Sequence, residues 1–554
     1  MMFAYRVGLK MKSWGIVIVI AVGFGVGLAA PRWAVEMGIS TAQTTAESAL
    51  GVKTVSTKDS MKVEDFWANT ELEVSDLKKY VNNVKCHENK KNFLACINSV
   101  LFALQKTNLH LNFDGTIAQN SRRENKLDNY NEKQNLAQFL NMPTEGLSDR
   151  FNFDSLWKSV LALSQPESKK YILASGVNGY LSIMADPHTY ISPTDFFRQV
   201  SSNNERSKYF LGLSFEKKKE RTFIRKVFKN SDADQAGLQN NDEVISINGQ
   251  KVEDMNLSDV SALLKDKNQK TFPFLVKRGE LTFIKKLNRT YRVLSQVQSE
   301  VINNGNKIGY IQLSKFAYNI CENVRAEIEK MKPSTLNGLV LDLRDNPGGL
   351  LTEAACLAGL FIGEDKKIFT VKYIDGSEEE VALTTSQQVY FGPMVILTNN
   401  SSASASELIA GAMQEYNRAT IVGERTFGKG SFQEIERWNE SSKVSLFKTQ
   451  GFYLLPSGET TQLKGVTPDV TLDDENAVMS EADLYQFPLH YKADKRSTLA
   501  HNLMYKKSNH ANNCSLPSVK DYSSDKFIAS AQQVLGCEIA LSAKADDKEQ
   551  NINL

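Results

Sequence analysis

Apolar residues recur at helical spacing in the first part of the chain. The pattern runs from Val63 to about Leu109, with NFLACINSVLFALQ as its most apolar piece, and resumes in FDSLWKSVLALSQ and KKYILASGVNGYLSIM. Residues 113–150 lie between these stretches and are rich in Asn, Asp and charge, which indicates a loop. We therefore predict an N-terminal helical region over residues 61–207.

Short strand-like stretches replace the helical pattern between residues 208 and 290. LGLSFE, TFIRKV and TFPFLVKRG are typical of strands, and DADQAGLQNNDEVISINGQKV combines a short helix, a strand and a tight turn. LSDVSALLKD has helical spacing. The pattern predicts a small separate module of strands and short helices.

Strands and helices alternate from Lys307 onwards. GLVLDLR is a nearly continuous apolar run, typical of a parallel strand that is covered on both faces. A second run, MVIL from Met394, passes through a serine-rich turn into the helical ELIAGAM. We predict an α/β core over residues 291–475 and assign no role to the C-terminal extension, residues 476–554.

The first 30 residues differ in composition from the rest. Three basic residues precede the apolar run WGIVIVIAVGFGVGLAA, and no acidic residue occurs before Glu36, which is the pattern of an export signal. The run is at the short limit of what spans a bilayer, roughly 17 residues, so an uncleaved anchor in the inner membrane stays open. Residues 31–60 are small and polar and predict a linker. We expect the body of the protein to be periplasmic or otherwise extracytoplasmic.

Composition changes this picture little. The chain has 554 residues, 41% apolar and 23% charged, which suits a globular protein of about three domains. Lys and Arg number 66 against 64 Asp and Glu, so the charge does not favour nucleic acid as a partner. The chain has no CxxC or HExxH motif, and its six histidines are scattered. We therefore predict no metal site and no cofactor.

The six cysteines agree with export. Cys86 and Cys96 lie ten positions apart, and Cys514 and Cys537 both lie in the polar tail. We predict that each pair forms a disulfide in an oxidising compartment. The other two cysteines occur in apolar, helix-like contexts, and we predict that they are free and buried. They are Cys321 and Cys356.

Two polar features of the stretch 394–433 suit nucleophilic catalysis. The serine-rich turn lies where a strand passes into a helix, and there unpaired N–H groups and the helix dipole favour negative charge. Lys429 lies between two glycines, and a lysine removes the proton of a serine only when it is neutral. We therefore expect Lys429 to be buried, because desolvation lowers its pKa. The alternatives are a simple helix cap and a solvated loop lysine.

The whole stretch resembles the active-site region of the carboxyl-terminal processing proteases, also called tail-specific proteases. The resemblance implies that Ser404, the middle serine of SASASE, is the nucleophile and that Lys429 of GKGSFQ is the base, supported by Gln433. The NPGG turn resembles the glycine turn of the family, which implies an oxyanion hole made by the amides of Gly349 and Ala405. It also implies a crotonase-like α/β peptidase core.

The module over residues 208–290 resembles a PDZ domain in its AGL, ISING and closing-strand motifs. PDZ grooves bind a peptide by strand addition and hold its terminal carboxylate in a loop. The resemblance implies a peptide site built by five residues and an arginine that links groove occupancy to the active site. The five are Phe210, Leu211, Gly212, Leu213 and Val260, and the arginine is Arg278. The family usually has glycine at the position of Phe210.

Together with the signal, the resemblance predicts an exported serine endopeptidase that acts on proteins recognised through their free C-termini. A homo-oligomer or an adaptor stays open. One alternative is a catalytically inactive PDZ scaffold or chaperone, which the presence of Ser404, Lys429 and Gln433 disfavours. The other is an acyl hydrolase of the nucleophile-elbow type, but the chain has no GxSxG motif. His188 and Tyr190 are predicted to pack in a turn without a catalytic role.

Overall fold

The computed structural model describes most of the chain between Val63 and Ile552. The described ranges are 63–119, 150–196, 205–375, 380–472, 480–491 and 525–552, together with Phe139. Short gaps inside these ranges fall at 106, 108, 113, 219–220, 228–230, 254, 256–258, 261–262, 265–268, 289 and 440–442. The predicted export signal and linker lie outside the described residues.

The N-terminal region is helical, as predicted. Its helices are α1 (Val63–Ala68), α2 (Val74–Lys78), α3 (Asn83–Cys86), α4 (Lys90–Leu104), α5 (Phe153–Leu163) and α6 (Lys169–Met184). The strands β1 (Leu109–Leu111) and β2 (Ile117–Gln119) pair antiparallel, and β3 (Tyr190–Pro193) follows α6. Helices α4 and α6 pack so closely that a Cβ added at Gly179 would lie only 2.8 Å from Phe102. A disulfide between Cys86 and Cys96 joins α3 to α4, which confirms that pair.

The predicted PDZ module follows and has its own apolar core. Its elements are β4 (Glu205–Phe210), β5 (Leu213–Lys218), β6 (Arg221–Val227), α7 (Asp232–Gln235), β7 (Glu243–Ile247), β8 (Gln250–Lys251), β9 (Thr271–Arg278), β10 (Leu281–Asn288) and β11 (Thr290–Ser295). The main sheet has the order β10-β9-β7-β6-β5, with β8 beside β7. The strands β4 and β11 pair with each other outside this sheet. The module is therefore inserted into the chain at a two-stranded ribbon.

The core contains the parallel sheet that the sequence predicted. Its elements are β12 (Val297–Asn304), β13 (Asn306–Leu313), α8 (Ile320–Lys330), β14 (Gly338–Asp342), α9 (Leu351–Ile362), β15 (Lys367–Tyr373), β16 (Glu380–Leu383), β17 (Met394–Thr398), α10 (Ala405–Glu415), β18 (Thr420–Gly423), β19 (Ser431–Arg437), β20 (Val444–Leu454) and β21 (Val470–Thr471). The sheet order is β12-β13-β14-β17-β18-β21, and the strands from β13 onwards are parallel. The strand β14 is buried along its whole length, as its apolar run requires.

Helices cover both faces of this sheet. The helices α8, α9 and α10 contribute to the cluster on one face. The opposite face is covered by the long α12 (Lys526–Ile552) of the C-terminal extension, which also contains α11 (Glu481–Leu484). Phe527, Val534 and Leu535 of α12 are buried against the strands. The extension, to which the sequence assigned no role, therefore completes the core.

A second sheet joins the N-terminal region to the core. Its order is β16-β15-β20-β19, and β3 pairs antiparallel with β20. Trp438 and Val444 are also part of the N-terminal apolar cluster. The helical region is thus packed onto the hairpin that follows the loop of Lys429.

The prediction of an α/β core with an inserted PDZ module and an N-terminal helical region is confirmed. The domain limits drawn from the sequence stay a prediction. Among the described helices, none combines the length and the hydrophobicity needed to cross a membrane.

Candidate active site

Ser404 lies at the sharp turn from β17 into α10. Its φ of 56° and ψ of −114° are unusual for a residue with a side chain, and such strain is concentrated at functional sites. The residue is fully buried, and its amide donates to Glu407 Oε2 at 2.8 Å. Its hydroxyl has no hydrogen-bond partner in the described part of the chain. The hydroxyl therefore has no competing contact that would oppose attack on a carbonyl.

Lys429 lies in the loop before β19 and is 5% exposed. Its Nζ donates to the carbonyl oxygen of Ser431 at 2.8 Å and to Gln433 Oε1 at 2.9 Å. Burial lowers the pKa of Lys429 to about 8, although the negative charges of Glu481, Asp186 and Glu407 act in the opposite direction. The predicted desolvation of this amine is present, and with this pKa about a tenth of the amine is neutral at pH 7, far more than for a solvated lysine.

Ser404 and Lys429 belong to one buried cluster but do not hydrogen-bond to each other here. Tyr453 connects them, because its hydroxyl lies 3.1 Å from the carbonyl oxygen of Ser404 and 2.7 Å from that of Lys429. Catalytic hydrogen bonds are often long in ligand-free structures and tighten in the substrate complex. The lack of a direct hydrogen bond between the two side chains is therefore compatible with proton transfer between them.

Glu407 is the buried residue that the sequence analysis missed in this cluster. It accepts hydrogen bonds from the amides of Ser404, Gly428 and Lys429, at 2.8, 2.7 and 2.8 Å, and from the Thr426 hydroxyl at 2.7 Å. Burial raises the pKa of Glu407 to about 8, against the effect of these hydrogen bonds. The carboxyl group thus fixes the serine turn and the lysine loop to each other. Its position in the first turn of a helix was the only sequence signal.

Gln433 holds the lysine amine and is held in turn by a polar chain. Its Nε2 lies 3.2 Å from Thr449 Oγ1, which lies 2.8 Å from Asp186 Oδ1. Asp186 also accepts from the Thr189 hydroxyl at 2.6 Å. Because β3 pairs with β20, the turn that carries Asp186 reaches the site from the N-terminal region. This connection was not visible in the sequence.

The predicted oxyanion donors lie next to Ser404. A Cβ at Gly348 would lie 2.9 Å from both the Ala405 amide nitrogen and the Ser404 Cβ, so only glycine allows the NPGG turn this close. Gly349 has a φ of 147°, and a Cβ there would lie 2.0 Å from the carbonyl oxygen of Phe316. No hydrogen bond occupies the amide of Gly349 or of Ala405 within the described residues. Two free N–H groups near a nucleophile suit an oxyanion hole.

The predicted peptide site lies at the β5 edge of the module. Leu211 and Val260 are buried in the module core, and Leu213 packs against it. Gly212 has a φ of 86°, and a Cβ there would clash with Ser231 at 1.9 Å. The strand β5 pairs only with β6 among the described strands. Among the described strands, the other edge of β5 is therefore unpaired, and Phe210 lies at the end of β4, just before the loop.

The polar and ring contacts that Arg278 makes with described residues all lie inside the PDZ module. Its guanidinium donates to both carboxylate oxygens of Asp242, at 2.6 and 2.7 Å, and to the carbonyl oxygen of Gly237 at 2.9 Å. These residues all lie in the PDZ module. An ion pair from the module to the core is formed instead by Arg225 and Asp345, at 3.2 Å. The proposed linking role of Arg278 stays a prediction.

The prediction that Cys321 and Cys356 are free is wrong. They form a disulfide with a Cα–Cα distance of 5.9 Å. Cys321 lies on α8 and Cys356 on α9, and these helices pack side by side, which no local pattern shows. Together with Glu322 they also form a possible metal-ligand group, but both sulfurs are used in the bridge. Cys537 is disulfide-bonded, and its predicted partner Cys514 lies outside the described residues.

His188 and Tyr190 lie in and after the turn that carries Asp186. Tyr190 is buried and stacks on Phe447, with a centroid distance of 4.6 Å. His188 Nε2 lies 3.1 Å from Glu481 Oε1, and the ring packs edge-on against Tyr485. Both residues therefore have packing partners, and His188 contacts the C-terminal extension.

A strained serine with two amides beside it that are free among the described residues, a buried lysine and an inserted module with its own sheet together suit a PDZ-containing peptidase fold. Two family models match the chain. They are peptidase family S41, over residues 307–472, and the PDZ domain, over residues 199–276. The first of these ranges contains the serine turn, the lysine loop and the NPGG turn.

Curated relatives agree with the family models. A probable CtpA-like serine protease of Staphylococcus aureus (strain COL) is 30% identical over 348 residues, which are 60% of this chain and 68% of that protein. The carboxy-terminal processing protease CtpA of Bacillus subtilis (strain 168) is 29% identical over 300 residues. That match covers 54% of this chain and 63% of the relative, so the chain spans less than two thirds of its length.

Solved structures are also similar to the chain. The photosystem II D1 C-terminal processing protease is 24% identical, and the match covers 58% of this chain and 87% of that one with a TM-score of 0.36. From the family models and the curated relatives, we conclude that the chain belongs to peptidase family S41.

Proposed function

We propose that the chain is a serine endopeptidase with Ser404 as its nucleophile and Lys429 as its base. The observation that carries the proposal is a single buried cluster. It contains a strained serine whose hydroxyl has no partner among the described residues, and a buried lysine; the amides of both donate to Glu407. Membership of a peptidase family supports the same chemistry.

In the proposed reaction, the neutral Lys429 amine takes the proton of the Ser404 hydroxyl as Ser404 attacks the scissile carbonyl. The amides of Gly349 and Ala405 bind the oxygen on which negative charge develops, an effect of roughly 3 to 4 kcal/mol per donor in another serine protease. Lys429 then returns the proton to the leaving amine. Water hydrolyses the acyl-enzyme, with Lys429 again as base. Gln433 keeps the amine directed into the site.

We propose that substrates are proteins recognised through their free C-termini by the PDZ module. The open β5 edge and the Gly212 loop support this. Ser404 is fully buried here, so the site has to open before a substrate reaches it. Binding of a C-terminus shifts such an equilibrium only through its differential affinity for the open state.

Export to an oxidising compartment is also proposed. The bridges Cys86–Cys96 and Cys321–Cys356 support it, because disulfides persist outside the reducing cytosol. Anchoring by residues 14–30 stays part of the proposal.

The test is cleavage of an unfolded reporter protein that carries a defined apolar C-terminal tag, compared with the same reporter amidated at its C-terminus. We expect cleavage of both, with a higher rate for the free C-terminus. If the chain shows no Ser404-dependent cleavage, the proposed enzyme activity is contradicted and an inactive scaffold is favoured. If the two reporters are cleaved at equal rates, only the proposed recognition of C-termini is contradicted, and the proposed enzyme activity stands.

The pKa of Lys429 predicts a pH dependence. Because only the neutral amine acts as base, and burial sets its pKa at about 8, kcat/KM should rise with pH and level off above that value. Below it, the rate should fall by about tenfold per pH unit. The measurement is kcat/KM on a short peptide without titrating groups, from pH 6 to 9.5. A flat profile down to pH 6 would exclude a lysine base.

Arg278→Ala tests the assignment of the linking arginine. Asp242 is 1% exposed and loses its ion-pair partner, so we expect the PDZ module to lose on the order of 1 to 3 kcal/mol of stability. Thermal unfolding of the full chain measures this, with Arg225→Ala as the control, since the Arg225–Asp345 pair is exposed on both sides. If Arg278→Ala keeps full stability and peptide binding but cleaves tagged substrates more slowly, the linking role predicted from the sequence is supported.

A further inference from the structure

Glu481 is a buried carboxylate in the C-terminal extension, and the proposed mechanism gives it no task. It is 0% exposed and is the first residue of α11. Its Oε2 is buried and has no hydrogen-bond partner among the described residues. A buried carboxylate with a free oxygen is costly, so its retention needs an explanation.

Two contacts join Glu481 to the loop of Lys429. Its amide donates to the carbonyl oxygen of Phe427 at 3.0 Å. Its Oε1 accepts from Gln462 Nε2 at 2.6 Å, and Gln462 Oε1 accepts from the Gly430 amide at 2.8 Å. The loop is therefore held on both sides of Lys429 by one residue of the extension.

Apolar contacts strengthen this attachment. Leu484 and Tyr485 of the extension pack with Phe427 and with Ala403, the residue before the nucleophile. The segment 480–491 therefore covers the serine turn as well as the lysine loop. The segment is therefore held in place by residues of the serine turn and the lysine loop.

We propose that Glu481 is a positioning residue for Lys429, which it serves by fixing the lysine loop and by placing a negative charge against that loop. The inference rests on the proposed function, since it assumes that Lys429 is the base. Among the described residues, the other ionisable groups near Lys429 are Glu407 on α10, Asp186 in the turn before β3 and Tyr453 on β20, whose hydroxyl donates to the Lys429 carbonyl oxygen. His188 is the ionisable neighbour of Glu481 itself.

The charge of Glu481 opposes the effect of burial on the pKa of Lys429. Without it, the amine should lose its proton at lower pH. Glu481→Gln removes the charge and keeps an oxygen that accepts from Gln462. We therefore expect the acid limb of kcat/KM to move to lower pH, so that activity at pH 6 rises by about threefold to tenfold relative to the plateau.

The experiment compares wild type, Glu481→Gln and the matched control Asp483→Asn, whose side chain is exposed on the same short helix. Only Glu481→Gln should move the acid limb. A purely structural role would lower the plateau and leave the limb in place, and that result would overturn the proposal. If Glu481→Gln lowers the melting temperature, the limb is measured well below that temperature, and Glu481→Asp, which keeps the charge, should leave the limb where it is in wild type.

A second measurement does not depend on cleavage. In the Ser404→Ala background, the rate at which an amine-reactive reagent labels Lys429 reports the neutral fraction of its amine. The midpoint of this rate should shift to lower pH when Glu481→Gln is added and stay unchanged with Asp483→Asn. If wild type shows no Ser404-dependent cleavage but the midpoint shifts, the proposed function fails and the charge effect stands. If wild type cleaves and the midpoint stays, only the role of Glu481 fails.

Discussion

Ser404→Ala and Lys429→Met should each abolish peptide cleavage. We expect a loss in kcat on the order of 10⁵-fold to 10⁶-fold for either, because a nucleophile and its base act as a unit and the effects of their removal are not additive. Methionine keeps the length of the lysine stem and removes only the amine, so no cavity forms beside Gln433. The double variant should be no slower than either single variant.

The controls are Ser334→Ala and Lys330→Met, which replace exposed residues of the same types. Both should keep wild-type rates, and all four variants should unfold within a few degrees of wild type. A Lys429→Met variant with near-normal turnover at neutral pH would exclude the lysine base. It would direct attention to His188, which sequence analysis expects to be replaceable by alanine with little effect on the chemistry.

Local patterns predicted the elements that carry the site. The apolar run GLVLDL became the fully buried β14, and the helical spacing after SASASE became α10. Both follow from burial on one or two faces, which a sequence records directly. The positions of Ser404 and Lys429 came from resemblance, and the structure adds that both are buried.

Contacts between distant segments were not predictable in the same way. Cys321 and Cys356 each looked like a small apolar residue, since the packing of α8 on α9 is a tertiary event. The polar chain from Gln433 to Asp186 includes the hydrogen bond between Thr449 and Asp186, which are 263 positions apart in the sequence. This bond depends on the pairing of β3 with β20. One-dimensional periodicity contains no information about either contact.

The C-terminal helix is a different case, because a signal was present. Phe527, Ala531, Val534 and Leu535 follow an i, i+4, i+7, i+8 spacing in the extension, and all four are buried. The pattern predicts an amphipathic helix with one apolar face.

Ending the chain after residue 491 should therefore unfold or aggregate the core. The truncation removes α12, whose apolar residues cover Tyr310, Val340, Val395 and Leu397 of the central strands. Burial of a large apolar side chain contributes roughly 1.5 to 3 kcal/mol. The truncation removes three such side chains and also exposes the strands that they cover. We expect the total loss of stabilising free energy to exceed a typical domain stability of about 5 to 15 kcal/mol. Circular dichroism and sedimentation of the purified truncation measure the outcome.

A milder variant tests the same contact in a folded protein. Leu535 lies against Gly338, where a Cβ would come within 3.1 Å of its side chain, and Leu535→Ala should cost about 2 to 5 kcal/mol. The control is Leu163→Ala, because Leu163 is 55% exposed.

The helix should also matter for the site. Asp525, just before α12, lies 2.9 Å from Arg344, which itself pairs with the buried Asp342 two residues before it. Arg344 is separated from the NPGG turn by a single residue, so loosening α12 removes one support of the oxyanion donors. We expect Leu535→Ala to lower kcat several-fold at temperatures well below its melting point, with little change in KM. A truncated chain that stays folded, free of aggregates and active would show that the central sheet does not need this cover.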